Sequence, residues 1–203
     1  MQQYLHCGGV HEVTINMNMK LVFLLLSFIF LTGPAFADSI CADRPGSGNS
    51  TCTVDSKRFQ IEMGNDQQEL RIGLIPKSEI DVSNSTIGIK YEAVNSSKIL
   101  LSVRPSVDFT TGYITVEFPF QYNLNDKTNI TIDPQFIQHD KTIISVDINR
   151  NITPSITITP ELEIQGKPFI NGYVSWIPSH YQSWQFDVGM NKRKVILGVS
   201  KKF

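Results

Sequence analysis

From Tyr113 to Leu124 apolar and polar side chains take turns. Ile114, Val116, Phe118, Phe120, Tyr122 and Leu124 share one face, and Thr115, Glu117, Gln121 and Asn123 share the other. A period of two means a strand, because successive strand side chains point to opposite faces. A tilted strand of this length crosses the hydrocarbon core of a bilayer. The pattern recurs: Leu70, Ile72 and Leu74 oppose Arg71 and Gly73, with Ile75 the exception, and Ile156, Ile158, Leu162 and Ile164 oppose Thr157, Thr159, Glu161 and Glu163. Between Glu69 and Val199 the alternation marks out about ten strands, with no sustained helical period. The chain ends on an aromatic residue, Phe203.

Repeated alternation suits two architectures: a closed transmembrane barrel with lipid-facing and lumen-facing positions, and a soluble β-sandwich. Net charge −1 over 203 residues offers no basis for nucleic-acid binding. A mean hydropathy of −0.09 suits either architecture, since half of every barrel strand faces a polar interior. The N-terminal region favours export. Met19 to Ala37 carries one Lys, an apolar run from Leu21 to Leu31, a Gly33-Pro34 break and a small-residue Ala35-Phe36-Ala37 site, which reads as a cleaved secretory signal peptide. A membrane-anchor helix is the alternative, but the run is short for a span. Residues 1–18 then read as an over-called extension, 38–66 as a disulfide-clipped N-terminal segment in which Arg58–Gly64 reads as a strand or a plug, and 67–203 as the barrel. Cys41 and Cys52 form an even pair in an exported chain, so a disulfide is expected; metal binding is the alternative, and no His lies near.

The expected fold is therefore all-β: an antiparallel up-and-down transmembrane β-barrel of about 10 strands, at most about 12. Pro105, Pro119, Pro134 and Pro160 fall inside the strands and imply local bulges, because Pro cannot donate to a ladder. An even strand number puts both termini at one end. The turns at Asn125–Lys127, Asn149–Pro154 and Pro178–Ser183 then share that end, and those at His139–Lys141, Gly166–Pro168 and Lys192–Lys194 face the other way. Lys192, Arg193 and Lys194 are placed to meet lipopolysaccharide phosphates, or simply to form a solvated turn. Trp176, Trp184, Tyr122 and Tyr181 sit near strand ends, where an aromatic girdle belongs.

The lumen-facing set is Arg71, Lys90, Glu92, Arg104, Glu117, Asp133, Asp147, Glu161, Glu163 and Asp187, with Asp108 near a strand end. Its acidic excess favours cations in any water-filled path. The same charges are equally suited to pairing inside a packed, narrow lumen. Catalysis is not expected. His139 and His180 fall in turns on opposite faces, and their neighbours Asp140 and Ser179 point away from them. No metal-ligand spacing, phosphate loop or nucleophile elbow appears, so no cofactor is expected.

The segment from Cys41 adds a resemblance. Cys41, Asp43, Arg44, Pro45, Gly46 and Gly48, then Cys52-Thr53-Val54, then Gln60-Ile61-Glu62 resemble the start of an outer-membrane transporter-like family, the "MetA-pathway of phenol degradation" family. Glu69-Leu70-Arg71-Ile72-Gly73-Leu74 is similar to its second landmark. Phe186 to Asn191 and Gly198 to Phe203 are similar to its closing strands. Only Met63 to Gln68 separate the first two landmarks, so the resemblance is to a shortened member. It implies an outer-membrane barrel of a Gram-negative bacterium, acting as a passive channel or transporter for small or apolar solutes. Its partners would be outer-membrane lipid, lipopolysaccharide and the barrel-assembly machinery, which reads the terminal Phe203. The alternatives are a closed structural or adhesive barrel and a soluble periplasmic β-sandwich.

Overall fold

The computed structural model describes residues 40–43, 48–65, 68–140 and 142–203. The signal peptide, the extension before it, Arg44, Pro45 and Gly46 lie outside the described residues. Thirteen strands follow in order: β1 (Phe59–Gly64), β2 (Gln68–Gly73), β3 (Ser78–Ser83), β4 (Thr86–Asn95), β5 (Ile99–Asp108), β6 (Ile114–Glu117), β7 (Phe120–Asn125), β8 (Thr128–Ile137), β9 (Ile143–Thr153), β10 (Ile156–Gln165), β11 (Lys167–Trp176), β12 (Trp184–Asn191) and β13 (Lys194–Lys202). Every pairing is antiparallel between neighbours, and two contacts close the circle: β1 with β13, and β4 with β5. β6 and β7 both pair with β5 and β8, so they are two halves of one wall position. The wall is thus a closed, twelve-position up-and-down barrel.

The two positions beyond the ten read from alternation are β1 and β3. β1 joins the wall from Phe59, inside the segment assigned to the clip. β3, SEIDVS, is too short and too acidic to stand out as alternation, yet it pairs with β2 and β4 over five residues each. Even closure puts both termini at one end. The turns after β7, β9 and β11 share that end with them, and the turns after β8, β10 and β12 lie at the other.

The prolines interrupt less than a free-standing ladder would suggest. Pro105 pairs with Val116, Pro134 with Ile144 and Pro160 with Gly172 in continuous register. Each is missing from the ladder on its opposite side: β4–β5 skips from Gly88↔Ser106 to Tyr91↔Val103, and β9–β10 skips from Ile158↔Arg150 to Glu161↔Asp147. The missing N–H costs rungs toward one neighbour only, so a closed wall tolerates it without an edge. Pro119 does break its strand. It lies opposite Asp133, and Phe118 opposite Pro134, in the gap between Glu117↔Gln135 and Phe120↔Ile132. Ser102 N–H donates to the Pro119 carbonyl at 3.0 Å and Phe118 N–H to the Pro134 carbonyl at 3.2 Å, holding the halves in place.

The polarity is inside out. β10 shows it most plainly: Ile158, Leu162 and Ile164 are exposed while Thr159, Glu161 and Glu163 are buried. Among the described residues the buried hydrophobics are only Ile40, Val54, Ile61, Tyr173 and Ile196, and charged and amide side chains fill the rest of the interior. An apolar jacket around a polar core is stable where the surrounding solvent is hydrocarbon. Trp176, Trp184, Tyr122 and Tyr181 all lie at the end carrying the termini. There Phe203 stacks on Phe59 at 4.6 Å, its N–H donates to the Phe59 carbonyl, and Lys201 sits over the rings of Phe203 and Trp184. The last residue thus pins the β1–β13 seam.

Candidate functional site

The barrel interior is the candidate site. Nine of the ten lumen residues expected from alternation are buried, and Asp147 is half-buried beside them. Period two places them with certainty once the outer face is apolar: a one-residue slip would carry every Ile and Leu inward. Alternation alone did not bring out Gln60, Glu62, Glu79 and Asp81, also buried, because Arg58–Gly64 reads as either a strand or a plug and β3 does not stand out; Glu69, also buried, shares the Arg71 face of β2, a strand that alternation does mark. The signal was there in part: Glu79 and Asp81 are two residues apart, as lumen positions must be.

Cys41 and Cys52 are bonded, closing a clip of sequence separation 11. The clip lies inside the barrel, held by strand side chains that act on its backbone. Gln60 accepts from Cys41 N–H at 3.3 Å and donates to the Cys41 carbonyl at 2.9 Å. Thr53 N–H donates to Glu92 at 2.7 Å, Val54 N–H to Glu79 at 2.6 Å and Asn49 N–H to Asp133 at 2.9 Å. Carboxylates that accept backbone N–H groups satisfy an irregular segment that no ladder reaches. Gly73 makes the packing possible, since a Cβ there would sit 2.0 Å from the Asp55 carbonyl oxygen.

Three cations organise the β1–β6 wall. Arg71 donates to Glu79 at 2.7 and 3.0 Å, to Glu62 at 3.0 Å and to the Cys52 carbonyl at 3.1 Å, and also bonds the Cys41 carbonyl. It therefore grips both ends of the clip. Lys90 donates to both oxygens of Asp43 at 2.7 Å. Arg104 joins Asp81, Glu117 and, at 3.6 Å, Glu69. Burial pushes the Asp43 carboxyl up, but the adjacent Arg71 and Lys90 charges override it and hold Asp43 below the usual carboxylate range.

Beyond the clip a cavity of about 270 Å³ remains on the β7–β12 side. The clip forms one wall of it through Asp43, Gly48, Asn49 and Ser50. Asn129, Thr131, Asn149, Thr157, Thr159, Ser175 and Gln185 form the other, with Asp147 as the one strand carboxylate. Several of these side chains are half-exposed, so the cavity reaches solvent, toward the end carrying the termini. Its surface is amide and hydroxyl, which suits a polar solute rather than an apolar one. His139 and His180 stand at opposite ends of the barrel. Among the described residues no group of three or more His, Cys, Asp or Glu is placed to hold a metal ion.

The chain matches no family model and no curated protein. Among solved structures it is similar to the "KdgM porin in complex with disordered oligogalacturonate", at TM-score 0.52 and 16% identity, covering 72% of this chain and 98% of that one. A NanC porin structure is similar at TM-score 0.47 and 8% identity, covering 72% of this chain and 99% of that one. The likeness to the KdgM porin is one of fold, and it agrees with the closed antiparallel barrel described above.

Proposed function

We propose that the protein is an outer-membrane channel of a Gram-negative bacterium, giving passive passage to small polar solutes. The observation that carries this reading is the solvent-reaching polar cavity inside a barrel whose outer face is apolar. Passage through it needs no chemistry: amide and hydroxyl groups replace part of the solute's hydration, and the acidic walls set its charge preference. Eleven acidic side chains are buried among the described residues against four basic ones, Arg71, Lys90, Arg104 and Lys202. That balance disfavours polyanions such as the oligogalacturonate named for the KdgM porin complex, and it favours neutral or cationic solutes. Membership of the phenol-degradation transporter family belongs to the same proposal. It is supported by the contact between its first two landmarks, since Arg71 of the second donates to Glu62 and to the Cys41 carbonyl of the first. Arg193 and Lys194, exposed at the end away from the termini, are offered as contacts for lipopolysaccharide phosphates.

A second reading, a closed structural barrel, is favoured by the clip itself, which occupies the β1–β6 side of the lumen. Planar bilayers separate the two. Refolded protein, with folding confirmed by heat-modifiable gel mobility, should conduct and show a reversal potential displaced toward cations. A silent bilayer with folded protein rejects the channel and leaves the structural barrel.

A further inference from the structure

The outer face turns cationic at the end that carries the termini. Lys57, Lys77, Lys98 and Lys127 stand exposed in the turns and bends there. Two further cations point outward from the wall itself. Arg150 pairs with Ile158 on the outer face of β9 and β10, two residues along from the Ile156↔Trp176 pair. Lys201 pairs with Trp184, and its ammonium lies 4.6 Å from the Trp184 ring and 4.3 Å from the Phe203 ring. Exposed acidic side chains are few at this end. Among the described residues they are Asp126 and Asp55, and Asp55 already bonds Lys202. The cations encircle the barrel, from the start of β1 through the β2–β3, β4–β5 and β7–β8 turns to β9 and β13.

The depth of Arg150 and Lys201 decides what can reach them. Both share the outer face with apolar side chains: Ile148 and Ile158 beside Arg150, Trp184 and Phe203 beside Lys201. That face meets hydrocarbon, and Trp176, Trp184, Tyr122 and Tyr181 mark the headgroup level at the same end. A long cationic side chain rooted close to that level lies along the apolar surface and delivers its charge to the lipid phosphates. A soluble acidic protein neither enters there nor touches the whole circumference, whereas a lipid annulus does both. We infer that this rim is a binding surface for anionic phospholipid headgroups. Arg150 and Lys201 meet the phosphates, and Lys57, Lys77, Lys98 and Lys127 ring them from the aqueous side. Each Lys or Arg near a membrane surface adds to the attraction for anionic lipid, and salt screens it. The surface needs only the membrane-spanning wall, so it stands whether or not the lumen conducts.

The chain's two tryptophans, Trp176 and Trp184, both lie at this end, so their fluorescence reports the lipid beside this rim. Folded protein is placed in phosphatidylcholine vesicles carrying equal mole fractions of either brominated-chain phosphatidylglycerol or brominated-chain phosphatidylcholine, and quenching is compared at pH 7. At low salt phosphatidylglycerol should show a relative affinity at least about twofold higher, and the ratio should fall toward unity in about 0.5 M salt. Arg150→Gln combined with Lys201→Gln should lower the ratio. Replacing Lys57, Lys77, Lys98 and Lys127 by Gln as well should bring it to unity, and Lys167→Gln, at the opposite end, should leave it unchanged. Each ratio is taken within one variant, so any direct effect of Lys201 on Trp184 emission cancels. Equal quenching by the two lipids, a preference that salt does not reduce, or a ratio untouched by the Arg150 and Lys201 changes overturns the inference. Should the variant with all six changes fail the gel-mobility test of folding, the salt series on the parent and the Arg150→Gln, Lys201→Gln pair decide the matter. A silent bilayer with the lipid preference intact removes the channel and keeps the lipid surface.

Discussion

Replacing Arg71 by Met removes the charge that ties the clip to the wall while keeping most of the side chain's length. The Arg71 guanidinium is fully buried and contacts Glu62, Glu79, Asp43 and the carbonyls of Cys41 and Cys52. Lys90 remains at 2.7 Å from Asp43 and 3.4 Å from Glu79, so two of the three acids keep a cation. Glu62 keeps only neutral partners, the Gln60 amide and the Asp43 N–H. Removing one partner from a buried ion pair costs about 3–5 kcal/mol, because an uncompensated charge is left behind. Arg71→Met should therefore lower the unfolding free energy by that amount, on the order of a hundredfold to a few thousandfold in the folding equilibrium. Urea titration of protein refolded into vesicles, read by gel mobility, measures it. Adding Glu62→Gln in the Arg71→Met background should recover a substantial part of the loss, since a neutral amide needs no counter-ion. A loss below about 1 kcal/mol, or a double variant no better than Arg71→Met, would refute the reasoning.

The same network gives the acid response a direction. Asp43 is depressed below its ordinary value of 3.8, so its contribution is present above that pH and fades as pH falls toward the lower folded value. In Arg71→Met the loss should begin at higher pH than in the parent, a shift that acid titration of the unfolding midpoint would read. Leu162 lies mid-strand on the exposed face of β10, so Leu162→Arg should cost about 2–4 kcal/mol in vesicles; a cost near zero would sink the claim that this face meets lipid. Replacing Cys41 and Cys52 together by Ser should cost about 3 kcal/mol from lost loop constraint, while the barrel still folds and its conductance rises. Unchanged stability and conductance would mean that strand side chains alone hold the clip.

Much of the wall was legible because period two is rigid. Once Leu70, Ile158 and Leu162 face outward, Arg71, Thr159 and Glu161 have no choice but the lumen. The strands that escaped reading are those in which the outer face is weakly marked. β3 carries Ile80 as its one large outward aliphatic beside Val82, flanked by acids, and the Arg58–Gly64 segment that holds β1 reads equally as a strand or a plug, because Gln60 and Glu62 are as polar as the segment before them. The proline effect was misjudged for a geometric reason. Whether a missing N–H breaks a strand depends on which neighbour it faced, and that is a property of the sheet.

Alternation, an apolar outer stripe and an even pair of cysteines are local or compositional, so the sequence by itself determined an all-β chain with two chemically opposite faces and a clip. Which carboxylates meet cations was decided only in three dimensions. Arg71 reaches Cys41 across thirty residues, Lys90 reaches Asp43 across forty-seven, and Asn49 reaches Asp133 across eighty-four. Barrel closure brings these groups together. Sequence spacing carries no record of such contacts, because they depend on strand order, register and the path of the clip through the lumen.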